Sequence, residues 1–218
     1  MRRLPGFPPM TMPATPPPPA LDLPRSLAIQ AHANRLANQR LHAAIAGLSA
    51  AEWQAPRSGF FPSLAATLNH LLAVDVYYLD GLHRRPDGVA RFRAFRAHEA
   101  LAPLAAAQAV SDARLIAFCA ALTPVGCTEA IVLDRGQGRY RHERVGHLLQ
   151  HLFMHQTHHR GQAHAMLSST AVAPPQLDDF LLPSDADCRV ADMAALGWDE
   201  ATVYGPPLPA PPGAGRPN

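Results

Sequence analysis

Apolar residues recur at helical spacing over four separate stretches of this chain. In each stretch they return every three or four positions, as on one buried face of an α-helix. Ser63 is a favourable N-cap residue for the second stretch, and Gly47 lies near the end of the first, as a C-cap would. The pattern predicts four main helices, over residues 26–47, 63–81, 101–122 and 143–167.

The connecting segments predict smaller elements. Residues 83–95, HRRPDGVARFRAF, are polar and contain Pro and Gly, which indicates a crossover longer than a helical hairpin needs. Residues 128–143, TEAIVLDRGQGRYRHE, favour a small β-hairpin with a turn at Gly136 and Gly138. A short helix capped by Asp185 or Asp187 follows the fourth main helix. The predicted fold class is therefore all-α, a four-helix bundle with a hairpin before the fourth helix and a short C-terminal helix.

Proline content divides the chain into three parts. Residues 1–24 are dense in proline and contain few side chains that could be buried, so we predict a disordered extension. Residues 25–204 form one predicted domain, and residues 205–218 a second disordered tail. Two arginines begin the chain as in a secretory signal, but prolines interrupt the apolar stretch that such a signal requires.

Composition and charge exclude several classes of partner. The formal net charge is only +2 and the arginines are scattered, so no nucleic acid partner is expected. No uninterrupted apolar stretch is long enough to span a bilayer, so no membrane association is expected either. The three cysteines lack CxxC spacing, which favours reduced thiols and a cytoplasmic location, and we assign none of them to a metal.

Histidines are concentrated in residues 147–164, HLLQHLFMHQTHHRGQAH. His155 and His159 are four residues apart, so on a helix their rings can converge on one metal ion. His147 and His151 continue the series, but each step turns about 40° around the axis, so all four cannot face one ion.

A zinc site needs three or four protein ligands, so another residue must complete it. His70, which lies among leucines in TLNHLLAVD, is the best candidate for the third ligand. A structural hydrogen bond to a neighbouring helix is the alternative for His70.

Other catalytic motifs do not fit. HERVGH resembles the zincin motif HExxH, but its two histidines, His142 and His147, are five apart and fall on different helix faces. Gln156 occupies the position of the zincin glutamate between His155 and His159. Neither a nucleophile elbow nor a glycine-rich phosphate loop is present in the sequence.

The histidine-rich segment HLFMHQTHHRGQAHAML is similar to the C-terminal motif of the DinB-like (DinB/YfiT) superfamily of metal-dependent enzymes. Other similar stretches are NRLANQRL, FFPSLAATLNHLLAVD, VSDARLIAFCAAL and APPQLDDFL, so the resemblance covers roughly residues 27–182. LGWDEATVYG resembles the ending of one subgroup. Met154 departs from the pattern, because relatives often have Asn there.

The resemblance implies a four-helix bundle in up-up-down-down order with long crossovers. It also implies a divalent metal site whose ligands fall on His70, His155 and His159. His158 points away from the last ligand and is expected to be a packing residue. For His151 the resemblance leaves two roles open, a group near the ligands or substrate and a plain surface histidine.

One further position matches a common acid of the family. Asp75 comes five residues after His70 and therefore lies on another face of its helix. We predict a structural hydrogen bond or ion pair for it, with Arg160 as a partner, rather than metal ligation. The family name does not indicate a polymerase, since nothing in this chain resembles one.

Two functions follow as hypotheses. The first is an enzyme that acts on a small molecule as a thiol S-transferase or hydrolase, with one divalent ion and a low-molecular-weight thiol as cosubstrate. Zinc is the expected metal and nickel the alternative. No acidic general base accompanies the ligands in sequence. A homodimer is expected by family analogy alone.

The second hypothesis is a non-catalytic metal-binding or stress-response protein, in which the surplus histidines recruit further ions. A plain bundle with structural histidines is the third interpretation.

Overall fold

Four long helices, joined by shorter elements, make up most of the protein. The computed structural model describes residues 21–207. Residues 1–20 of the extension predicted over residues 1–24, and residues 208–218 of the tail predicted over residues 205–218, lie outside the described residues. In chain order the elements are α1 (Leu23–Ile45), α2 (Ala50–Gln54), α3 (Leu64–Leu82), α4 (Gly88–Ala94), α5 (Leu101–Ala120), α6 (Pro124–Thr128), β1 (Ala130–Asp134), β2 (Tyr140–Arg144), α7 (Val145–Leu167), a 3-10 helix (Pro183–Arg189), α8 (Val190–Ala195) and α9 (Glu200–Tyr204).

The long helices α1, α3, α5 and α7 form a four-helix bundle, as the sequence predicted. α1 and α3 each pack against both α5 and α7. Two apolar clusters, one toward each end of the bundle, show the helix directions. One contains residues from the start of α1 and α7 and the end of α3 and α5, such as Leu27, Leu149, Leu79 and Leu115. The other contains residues from the opposite ends: Leu41, Leu167, Leu68 and Leu104.

The bundle therefore runs up-down-down-up, which corrects the up-up-down-down order that the resemblance implied. The connections over residues 46–63 and 83–100 are equally long, and the second is the crossover that the sequence predicted over residues 83–95. The first connection folds locally around α2. The second connection runs the length of the bundle, with α4 packed on α3. Its last residues lie beside α2, where Nε1 of Trp53 donates a hydrogen bond to the Glu99 carbonyl at 3.0 Å.

Helix boundaries agree with the sequence prediction except at a few ends. Ser63 caps α3, accepting a hydrogen bond from the Ala66 N–H at 3.1 Å. Asp22 caps α1 in the same way, so residues 23 and 24, assigned to the extension from sequence, belong to the first helix. Asp185 and Asp187 lie inside the 3-10 helix and do not cap α8.

The predicted hairpin forms from β1 and β2, which pair antiparallel with Ala130 opposite Arg144. Ile131 and Leu133 point into the apolar cluster at this end of the bundle, while Val132 faces outward. Gly136 has a φ of 78°, the left-handed conformation that a tight turn needs. Because β2 continues to Arg144, α7 begins two residues later than predicted.

A polar layer separates the two apolar clusters. Its amide side chains come from α1, α5 and α7, and its charged groups are Asp75, Asp112 and Arg160, each no more than 8% exposed. A third apolar cluster attaches the C-terminal segment to the outer face of α1, where Leu36 meets Phe180 and Met193.

Helix α5 is long and apolar enough, by length and composition alone, to cross a membrane. It packs against α1 and α3 and carries two polar residues, Gln108 and Asp112, that are buried in the polar layer. Within the bundle, one stripe of this helix is buried, and that stripe is partly polar.

Candidate metal centre

Two neighbouring helices bring the three predicted histidines together. His70 lies in the second turn of α3, and His155 and His159 lie one turn apart in α7. Because α3 and α7 are antiparallel neighbours, the first half of α3 lies beside the second half of α7. His159 is buried, while His70 and His155 retain partial exposure, so the cluster lies at the edge of the core.

The three imidazoles are close enough to hold one metal ion. A ring nitrogen from each lies within 4.8 Å of the other two. The Nε2 atoms of His70 and His155 are 3.2 Å apart. The His159 ring centroid lies 4.7 Å from that of His70 and 4.4 Å from that of His155.

This spacing fits a tetrahedral ion. Two nitrogen ligands at ~2.0–2.1 Å from a tetrahedral centre are separated by about 3.3 Å, close to the distance between the His70 and His155 nitrogens. Nδ1 of His155 is buried and has no hydrogen-bond partner among residues 21–207, so no outer hydrogen bond orients that ring. Three imidazoles leave at least one position of a tetrahedral ion for another ligand.

Burial keeps the three imidazoles in the neutral form that a metal requires. It lowers the pKa of His155 to about 3, with smaller contributions from His159, His70 and two other nearby histidines. The pKa of His70 is lowered by burial and then by His159. Burial also lowers the pKa of His159, although its hydrogen bond to Gln162 opposes that shift. Since only the neutral ring binds a metal, the site needs little proton release at neutral pH.

Gln162 orients His159. Its Oε1 atom lies 2.8 Å from Nδ1 of His159, and an amide oxygen only accepts, so the ring proton is on Nδ1. Nε2 of His159 is thereby left free to bind a metal, as an outer hydrogen bond commonly arranges for a ligating histidine. The amide nitrogen of Gln162 donates to Nε2 of the exposed His158 at 3.0 Å.

Phe61 covers one side of the cluster. Its ring centroid lies 4.5 Å from that of His70 and 5.5 Å from that of His159. The loop that carries Phe61 is held by Arg57, which donates to the Glu52 carbonyl and to the Ser169 hydroxyl at the end of α7. The loop therefore excludes water from one flank of the histidines.

The other histidines of the segment do not join this group. His151 is exposed, and its ring is 5.6 Å from Tyr78 and 6.5 Å from His155. His164 hydrogen-bonds the Pro175 carbonyl at 3.0 Å. His142 lies on β2 rather than on α7, so HERVGH is not a helical zincin motif. The density of histidines in the sequence is thus mostly unrelated to the cluster.

Asp75 has the structural role expected from the sequence, but with different partners. Its Oδ2 atom accepts hydrogen bonds from Gln108, at 2.8 Å, and from Gln156. Gln156 in turn accepts from Arg160 at 3.1 Å, so an amide lies between the predicted partners. Burial raises the pKa of Asp75 well above its usual value and lowers that of Arg160 to about 10.

The sequence analysis did not predict the contacts that Gln162 and Phe61 make with the histidines, nor the polar layer. The spacing of three residues between His159 and Gln162 is a signal that could have identified the amide. Phe61 lies in a loop, and its approach to His70 depends on tertiary packing. The members of the polar layer come from all four long helices, so no local pattern relates them.

The comparison with family models matches residues 28–188 to the DinB family. The matched range includes His70, His155 and His159 and all four long helices except the first five residues of α1. α8 and α9 lie beyond it. No curated protein matches the chain.

Proposed function

Because the chain belongs to the DinB family, we propose that it binds one divalent metal ion through His70, His155 and His159. We further propose that the bound ion serves catalysis on a small molecule. The observation that carries the proposal is the convergence of three imidazole nitrogens within 4.8 Å of one another. Three neutral imidazoles suit zinc, with nickel as the alternative.

The residues around the cluster support a catalytic rather than a closed structural site. A bound ion of this kind acts as a Lewis acid on a water molecule or thiol at its open position. Phe61 excludes water from one flank, and Gln162 keeps the proton of His159 on Nδ1. The partial exposure of His70 and His155 leaves a route for a small substrate.

Within residues 21–207, no carboxylate belongs to the group that the three histidines form. Asp75, the acid nearest to His70 in α3, is buried and directed at Gln108 and Gln156. A bound metal ion would therefore have to activate the nucleophile, either a water molecule or a thiol, and a thiol, whose pKa is lower than that of water, would need less activation. This favours transfer of a thiol sulfur to an electrophile, with a low-molecular-weight thiol as cosubstrate, and makes thiol-independent hydrolysis the second form of the proposal.

A thiol screen tests the reaction. The full-length protein, loaded with zinc or with nickel, is incubated with cysteine or glutathione and 1-chloro-2,4-dinitrobenzene, and thiol consumption is followed. Metal-dependent consumption is expected, and it should be lost in the double variant His155→Ala, His159→Ala. The matched double variant His142→Ala, His147→Ala removes two exposed histidines outside the cluster and should retain it. Hydrolysis of a p-nitrophenyl ester without thiol would instead identify a hydrolase.

A second candidate function is non-catalytic metal binding in a stress response. It is favoured by three exposed histidines on α7, His147, His151 and His158, which are outside the cluster. Storage or sequestration predicts several ions per chain and no turnover in the screen. An enzyme predicts one ion per chain, so the metal stoichiometry of the purified protein separates the two functions.

We also propose a cytoplasmic location and a homodimer. Cys119, Cys127 and Cys188 are all free thiols, which is consistent with a reducing compartment. The homodimer rests on family analogy, and sedimentation of the full-length protein tests it. With a net charge of +2 and scattered arginines, a nucleic acid partner is not proposed.

A further inference from the structure

Among the described residues, Arg40, Arg160 and Arg189 are largely or fully buried, and carboxylates neutralise Arg40 and Arg189. Arg189 donates through Nε to Glu200 at 3.0 Å. Arg40 forms ion pairs with Asp179 at 2.7 Å and Asp192 at 2.6 Å. Arg160 is the exception, because no carboxylate of residues 21–207 pairs with its guanidinium. Buried charges are normally paired, so the unpaired state of Arg160 needs an explanation.

Arg160 hydrogen-bonds only neutral groups. Its Nη1 atom donates to the amide oxygens of Asn34, Asn38 and Gln156. Its Nε and Nη2 atoms donate to no acceptor among the described residues. Both atoms retain some solvent-accessible surface, unlike the fully buried polar atoms that lack a partner. An arginine presents Nε and Nη2 as a parallel pair of donors, the arrangement that matches the two oxygens of a carboxylate.

The acids of the polar layer do not occupy this edge of Arg160. Asp112 accepts hydrogen bonds from the amide nitrogens of Asn34, at 3.3 Å, and Asn38, at 3.0 Å. These are the same two side chains whose oxygens accept from Arg160, so amides separate the two charges. The two unused donors remain available to an external group.

Arg160 lines a cavity of about 220 Å³ between α1, α7 and the segment that follows α7. Its walls are mainly apolar and include Phe153, Leu177 and Phe180, while Asn34 contributes polar surface. Asp178, an exposed residue, adds a negative charge to the lining. We call this space the Arg160 cavity.

The Arg160 cavity is separate from the histidine cluster. Arg160 follows His159 directly in α7, and successive residues of a helix point about 100° apart. The histidines face α3, whereas Arg160 faces Asn34 and Asn38 of α1. Helix α7 thus has the metal cluster on one side and the cavity on another.

We propose that the Arg160 cavity binds a small organic molecule that carries one carboxylate and an apolar body. The carboxylate accepts from Nε and Nη2 of Arg160, and the apolar body packs against Phe153, Leu177 and Phe180. One guanidinium compensates one negative charge, and the nearby Asp178 repels a second, so monocarboxylates are preferred to dicarboxylates and phosphates.

Titration with benzoate tests the site. The full-length protein is first freed of metal, so that the carboxylate cannot bind an ion at the histidines. Calorimetry should give one benzoate per chain, with benzamide and phthalate at least about tenfold weaker. Benzoate should also shift the Nε–H resonance of Arg160 in ¹⁵N spectra, which is assigned by its loss in Arg160→Lys. No benzoate binding at about 10 mM would overturn the proposal.

A matched pair of variants at Thr157 separates the cavity from other carboxylate sites. Thr157 is exposed and lines the cavity without bonding to Arg160, so its replacement leaves the polar layer intact. Thr157→Glu should weaken benzoate binding about tenfold by charge repulsion, and Thr157→Gln should not. Equal affinities in the two variants would contradict the proposal, even if Arg160→Lys failed to fold.

A further variant makes this test independent of the proposed metal function. His155→Ala with His159→Ala should retain benzoate binding, because the cavity lies on another side of α7. Loss of benzoate binding in that variant would place the carboxylate at the histidines and overturn the proposal.

Discussion

Nδ1 of His159 and Oε1 of Gln162 lie 2.8 Å apart on successive turns of α7. This hydrogen bond fixes which nitrogen of His159 carries the proton, and it also fixes the rotation of the ring. His155 lacks a comparable partner on its Nδ1 atom among the described residues. The cluster therefore depends on one outer hydrogen bond that a point mutation can remove.

Replacing Gln162 should weaken metal binding without unfolding the protein. Gln162→Ala removes the acceptor for His159, and the loss of such an outer partner typically costs 10- to 100-fold in metal affinity. Gln162→Glu keeps an acceptor and should retain the affinity. Competition with a chelator of known zinc affinity measures the constants. If Gln162→Ala bound zinc as tightly as the wild-type protein, the assigned role of this amide would be wrong.

Each histidine of the cluster should be required for tight metal binding. We expect one equivalent of zinc per chain in the wild-type protein, and a more than about 100-fold loss of affinity in His70→Ala, His155→Ala or His159→Ala. Metal analysis after dialysis gives the stoichiometry. His147→Ala is the matched control, because His147 is exposed on the same helix and lies outside the cluster. More than one equivalent, unaffected by His70→Ala, would contradict the site.

The four main helices could be predicted from sequence because their apolar spacing is local information. The crossover over residues 83–95 could also be predicted, but the order of helix directions came from the resemblance alone, because the connection over residues 46–63 is equally long and its length does not show whether it turns back locally. In the structure residues 46–63 turn back locally, with α2 packed on α3, and the hydrogen bond from Trp53 to the Glu99 carbonyl joins this turn to the distant end of the crossover. Similarly, the short helix α2 depends on a capping box between Ser49 and Glu52 that was not considered in the sequence.

The candidate site likewise contains residues that could be predicted from the sequence and contacts that could not. The spacing of His155 and His159 identified one pair, and the apolar surroundings of His70 identified the third member. The partner of Asp75 was predicted as Arg160, but Gln156 lies between them and bonds both. A sequence pattern indicates which residues share a helix face, whereas the order of groups across a buried layer depends on the distances between helices.

His42 should make the stability of the protein sensitive to acid. Burial, followed by the charges of Arg35 and Arg160, lowers the pKa of His42 to about 4, against 6.5 in the unfolded chain. Between these values the unfolded chain binds a proton that the folded protein does not. The free energy of unfolding therefore falls as the pH decreases from 6.5 to 4, by about 3 kcal/mol at most.

Removing His42 should reduce this slope. His42→Leu is expected to show a smaller loss of unfolding free energy between pH 6.5 and 4 in urea titrations of the metal-free protein. His142→Leu, at an exposed position of β2, is the control and should keep the wild-type slope. Identical slopes in all three proteins would show that another group is responsible.

The C-terminal segment depends on a buried ion pair outside the range that matches the family. Arg189 is fully buried, and besides Glu200 it donates to the carbonyls of Asp179 and Leu182. Its guanidinium also lies 4.1 Å above the ring of Tyr204. Glu200 thus supplies the negative charge that permits burial of Arg189 between the 3-10 helix and α9.

Glu200→Gln should destabilise the protein far more than the loss of an exposed ion pair. The cost of an uncompensated buried arginine is reduced by the 37% exposure of the Glu200 side chain, so we expect about 2 kcal/mol in urea denaturation. Glu129→Gln is the matched control, since it breaks the pair with Arg84 in which both side chains are more than half exposed, and should cost less than about 0.5 kcal/mol. Equal effects would mean that water reaches Arg189 and that the C-terminal segment is not held by this pair.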